Sequence, residues 1–149
     1  MKKKLASLII TLATIVGCQV DDFCVDPVTP NLVIGFYANE NPDIMKRVSS
    51  LYVWAEGRDT LYENISADSI IMPLDPAEDF TTYFLSSEDI VDQITISYDR
   101  KEVFVTRSCG FKYNFEEVSI SDITYNWIID TEVVNQTIID ETEHIKIYH

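Results

Sequence analysis

The 149-residue chain is poor in glycine, proline and histidine, with four, five and two residues respectively. Beyond the first eighteen positions only Gly35, Gly57 and Gly110 remain, too scattered for a loop that cradles phosphate. There is no GxSxG elbow, no HExxH and no CxxC, so the signatures of serine hydrolases and common zinc sites are missing. His144 and His149 are five apart and point to opposite faces of a regular strand. Terminal surface positions are therefore expected for both, and no metal or cofactor is assigned. Positive charge is scarce as well. Eleven Lys and Arg face 25 Asp and Glu, a net −14. That balance disfavours nucleic acid as a partner and disfavours peripheral binding to anionic lipid. No segment shows a convincing helical period.

What is present starts with Met1-Lys2-Lys3-Lys4, followed by the uncharged stretch Leu5 to Val16. As a helix that stretch covers roughly 18 Å, short of a ~30 Å hydrocarbon core. The layout is that of a secretory signal peptide over residues 1–17. Ile15-Val16-Gly17-Cys18 resembles the bacterial lipobox. The resemblance implies cleavage before Cys18, lipidation of its thiol and amine, and residues 18–30 as a tether. Several acyl chains, at ~0.8 kcal/mol per buried CH₂, would hold the chain on a membrane. The alternative is a secreted protein whose signal happens to end near a cysteine.

From Cys18 to His149 the chain carries 8 basic and 25 acidic residues, a formal −17. That length suits one core. In an oxidising compartment Cys24 and Cys109 are expected to pair, the alternative being two separately buried thiols.

Alternation of apolar and polar residues predicts strands over 31–37, 48–55, 60–62, 68–74, 81–85, 92–98, 102–115, 118–120, 123–129, 133–139 and 144–148. Polar stretches at 38–43, 56–59 and 99–101 are expected to turn the chain, and 75–79 forms an acidic loop. Strands at this spacing predict an all-β domain over 31–149, a single antiparallel β-sandwich of immunoglobulin-like or transthyretin-like kind.

Few residues break the pattern. Within 102–115 the odd positions are apolar except Arg107. A guanidinium there implies a buried ion pair, a β-bulge near Ser108-Gly110 that turns it outward, or an anion contact. Acidic clusters at Asp75/Glu78/Asp79, Glu88/Asp89/Asp92 and Asp140/Glu141/Glu143 lack calcium-loop spacing and read as solvated faces. Tyr52, Trp54, Tyr125 and Trp127 offer a glycan-stacking platform if two of them lie outside; otherwise they fill the core. No catalytic residue is assigned.

Cys18, Asp21-Asp22-Phe23-Cys24, Thr29-Pro30-Asn31-Leu32, Phe36-Tyr37, Arg107-Ser108-Cys109-Gly110-Phe111-Lys112 and His144-Ile145-Lys146-Ile147-Tyr148 together resemble a family of small lipoproteins of Bacteroidota. The resemblance implies an outer-membrane lipoprotein and no particular reaction. Gln19-Val20-Asp21-Asp22 also looks like the acidic signal that exports some such lipoproteins to the cell surface. Phe23 interrupts it, so the periplasmic and surface faces stay open. The expected function is a non-catalytic binding or structural module of the envelope, partnered by an envelope protein or a glycan. The rival is a small glycan-acting hydrolase using surface carboxylates.

Overall fold

The structure, a computed structural model, describes Cys24 and residues 29–149. Cys18 and the expected signal peptide lie outside the described residues. Among the described residues there are ten strands and no helix: β1 Leu32–Ala38, β2 Asn41–Met45, β3 Val48–Ala55, β4 Thr60–Ala67, β5 Ser69–Met72, β6 Phe80–Ser87, β7 Ile90–Thr106, β8 Gly110–Ile123, β9 Asp130–Val133 and β10 Ile145–Tyr148. They form two five-stranded sheets. One runs β2-β1-β10-β9, with β5 also on β1; the other runs β4-β3-β6-β7-β8.

β1 is central to the first sheet. Leu32, Ile34 and Phe36 are fully buried, as the alternation requires. One edge of β1 is shared: β5 pairs with its first half, Leu32↔Met72 to Gly35↔Ser69, and β2 with its end at Tyr37↔Met45. Its other edge pairs with β10 in parallel, Ile34↔Ile145 to Tyr37↔Tyr148. This parallel pair corrects the expectation of a wholly antiparallel fold. Leu51, Val53, Leu85, Ile94, Ile96 and Phe115 from the second sheet join the same core.

The second sheet departs from a simple period of two at defined residues. Ser50 and Asn64 have φ of 50° each, and Glu117 has φ 53°. The β3–β4 register shifts around the first two, and the β7–β8 register shifts between Ser97 and Asp99. Each is an inserted residue that lets the strand put apolar side chains three apart into the core, as with Val48 and Leu51 or Phe115 and Val118.

Four expected boundaries are corrected. Asp99-Arg100-Lys101 is no turn, because β7 runs through it in unbroken pairing with β8. The hairpin turns at Arg107-Ser108-Cys109 instead, where Cys109 N donates to Thr106 Oγ1 at 3.1 Å and Gly110 takes φ +74°. Asn41-Pro42-Asp43 lies in β2, an exposed edge strand whose proline costs the sheet little. Residues 124–129 form a loop, as do 134–144 apart from one bridge, Phe115↔Ile138. β5 is shorter than the expected 68–74 and ends at Met72, before Pro73.

The edge of β8 is covered by chain rather than left open. Phe115 N donates to Ile138 O at 3.1 Å, Val118 N to Gln136 O at 3.0 Å and Tyr113 N to Thr29 Oγ1 at 3.0 Å. Cys24 and Cys109 are disulfide-bonded, with Cα atoms 4.8 Å apart. The bond spans a sequence separation of 85.

Glu88 and Asp89 form the two-residue turn between β6 and β7, both with positive φ, 50° and 68°. This turn normally takes Asn-Gly, and side chains with a Cβ are strained in it. Asp89→Gly is expected to raise stability by about 0.5–1 kcal/mol, read as an increase in thermal midpoint; a decrease would show that the Asp89 side chain stabilises the turn.

Candidate functional site

Asp92 begins the buried face of β7 that continues through Ile94, Ile96 and Tyr98. It is fully buried, and its carboxylate organises the loop that follows β8. Thr124 Oγ1 and Asn126 N donate to Oδ1 at 2.7 and 2.8 Å. Trp127 N and Ile128 N donate to Oδ2 at 2.8 and 2.9 Å. Burial pushes the carboxyl pKa up, but these donors outweigh it and hold the pKa below the ordinary value. The solvated acidic face expected here is therefore corrected for Asp92. The signal was in the sequence: Asp92 shares the parity of three apolar residues on its strand.

The same loop separates the aromatic residues. Trp127 turns inward, donating Nε1–H to Leu85 O at 3.0 Å and packing against Phe36 and His149. Tyr125 is exposed. Residues 124–129 are not a strand, so Tyr125 and Trp127 do not share a sheet face. Tyr52 and Trp54 flank buried Val53 and so lie on the outer face of the second sheet, where Trp54 stacks on Phe84 with centroids 5.5 Å apart. The expected four-residue platform is thus a half-exposed Trp54–Phe84 stack beside Tyr52.

His144 corrects another expectation, being fully buried. Its Nδ1 accepts from Val33 N at 3.1 Å, and its own N donates to Val33 O at 3.0 Å. Nε2 is buried with no partner. Burial lowers the imidazole pKa, opposed by Asp140. His149 is half-buried against Phe36 and Trp127, and burial lowers its pKa too. Among the described residues no group of three or more His, Cys, Asp or Glu converges as a metal site.

A cleft of about 540 Å³ opens between the β3–β4 turn and the loop 73–79. Glu56, Asp59, Asp75 and Glu78 line it beside a single cation, Arg58. Asp75 is committed on both oxygens, Oδ2 to Arg58 at 2.9 Å and Oδ1 to Ala77 N at 2.8 Å. Tyr98 and Tyr83 hydroxyls donate to Asp75 O and Pro73 O and fix the loop.

The β7–β8 hairpin projects past the core. Phe115 is buried, Tyr113 half-buried and Phe111 exposed, all on the side that faces the opposite sheet lower down. Arg107 is exposed in the turn. The turn, with a register shift between Phe104 and Thr106 and a positive φ at Gly110 beside it, directs Arg107 outward, as the bulge alternative expected and the buried ion pair did not. The ion-pair expectation failed because a turn at 99–101 would restart the strand parity, and no turn is there.

A protein family described as a family of unknown function, DUF6452, matches residues 50–149. The chain belongs to the DUF6452 family. No curated protein and no solved structure matches it. The DUF6452 span holds Asp92, the loop it organises, the acidic cleft and Cys109. It starts after β1 and Cys24, so in this DUF6452 member the disulfide joins the family's span to the lead outside it.

Asp92→Asn is expected to destabilise the fold by about 2–4 kcal/mol, because an amide nitrogen then faces buried N–H donors; chemical denaturation at pH 7 measures it. The pH dependence has two parts. His144 and His149 have folded pKa values below the unfolded ~6.5, so stability falls as pH drops below about 6.5. Asp92 stabilises above its unfolded ~3.9 and loses that contribution as pH falls further. Thermal melts across pH 8 to 3 should show both steps, with His144→Gln weakening the first and Asp92→Asn the second.

Proposed function

We propose that the chain is a lipid-anchored envelope protein whose domain is a non-catalytic binding or structural module. The Cys24–Cys109 disulfide carries this reading, since such bonds persist in oxidising compartments outside the cytoplasm. The signal layout and the lipobox-like Cys18 supply export and anchor. The two mostly antiparallel sheets suit a β-sandwich, immunoglobulin-like or transthyretin-like, that presents loops and outer faces to a partner. The Trp54–Phe84 stack supports a glycan or an aromatic-rich envelope protein as that partner. Placement at the outer membrane, on its periplasmic or surface face, belongs to the same reading.

A glycan-acting hydrolase is supported by the acidic cleft alone. The binding reading is preferred because Asp75, the carboxylate fixed by the structure in that cleft, is saturated by Arg58 and Ala77.

Intact-mass analysis of the membrane-extracted protein tests the reading. The expected mass corresponds to cleavage before Cys18, added acyl chains and two hydrogens fewer for the disulfide. A mass with an unmodified Cys18 overturns the anchor. Surface protease treatment of whole cells then separates the two faces: loss of the domain places it outside, protection inside.

A further inference from the structure

The end of the β7–β8 hairpin combines three features that occur together nowhere else among the described residues. The first is apolar exposure. Phe104 and Phe111 are cross-strand partners with rings 5.3 Å apart in an edge-to-face arrangement, yet they are 57% and 61% exposed. They stand on the prolongation of the core-facing side of β7 and β8, where the opposite sheet has already ended. The second is charge. Residues 100–113 hold Arg100, Lys101, Arg107 and Lys112 against one acid, Glu102. Half of the eight basic residues from Cys18 to His149 lie in this segment of an otherwise acidic chain. Arg100 and Lys101 are paired with Asp79 and Glu116, whereas Arg107 and Lys112 take part in none of the ion pairs among the described residues. The third is position. The disulfide fixes Cys24 to Cys109, in the turn itself. Cys24 lies six positions after Cys18, a span of at most about 21 Å.

We propose that this hairpin tip docks into the surface of the phospholipid bilayer, with Phe104 and Phe111 at the headgroup–acyl boundary and Arg107 and Lys112 on anionic headgroups. The inference rests on lipidation of Cys18, which brings the tip to the membrane. A lipid surface is the occupant these features fit. Aromatic side chains flanked by cations partition to that interface, and the short lead allows the tip no great distance from it. The disulfide then sets orientation as well as stability: it turns a loose tether into a fixed stance with the hairpin down.

The test uses full-length protein extracted from membranes, with its mass measured, and reconstituted into phosphatidylcholine–phosphatidylglycerol vesicles containing lipids spin-labelled near the headgroup. Phe104→Trp and Phe111→Trp report the tip; Tyr125→Trp, at an exposed site on another loop, is the control. With acylated protein, the expected result is a blue shift and loss of emission for both tip variants, beyond the wild-type signal of Trp54 and Trp127, and no such change for the control. Arg107→Glu with Lys112→Glu should reduce the loss of emission. An acylated protein whose tip variants match the wild type overturns the docking while leaving the anchor intact. A mass without acyl chains overturns both. If one tip variant fails to fold, the other reports the same ring pair.

Discussion

A buried carboxylate with four donors is the constraint on which the two-sheet arrangement rests. Asp92 lies in the second sheet, and the loop it holds is where the chain leaves β8 and crosses to β9 in the first. Removing an ion from water costs several kcal/mol, and only dense hydrogen bonding offsets that. Here the offset comes from the backbone of residues 126–128 and from Thr124, groups that would otherwise be unsatisfied where the strand stops. One side chain thus ends β8, positions Trp127 over Phe36 and starts β9 in register with β10. On the far side, His144 and Val33 bond in both directions and close β1 onto β10.

Much of the fold was legible because apolar parity survives in the central strands. Leu32, Ile34 and Phe36, Leu51 and Val53, and Ile94, Ile96 and Tyr98 alternate cleanly, and the structure buries each set. Polar residues misled where they serve the interior or simply ride on a long strand. Asp99-Arg100-Lys101 has the composition of a turn, yet it continues β7, because pairing with β8 and two ion pairs outweigh a weak local preference. Conversely, Ile123 to Ile129 has the pattern of a strand, but Asp92 captures its backbone. No local signal identifies a partner that lies more than thirty residues away. The candidate site was less legible still. Tyr52 and Trp54 share a face by parity, but Phe84, which completes the stack, meets Trp54 only through the register of β3 and β6.

The disulfide and the covered edge of β8 act on the same element. Thr29 and the segment 136–138 occupy the edge that the long hairpin would otherwise present to another chain, and Cys24 is bonded to the turn at its end. In an 85-residue separation the bond removes unfolded-state freedom worth roughly 4–5 kcal/mol on the chain-entropy account. That is comparable to the whole stability of a small domain.

The parallel pairing of β1 with β10 also dictates the order of assembly. The central strand of the first sheet finds its partner only when Ile145 to Tyr148 have arrived, more than a hundred residues later. Until then β5 and β2 can occupy just one of its edges. A sheet closed by its latest strand has high contact order and forms slowly. The second sheet needs none of these late residues, so the first sheet is the one that stays open along an edge until β10 joins β1.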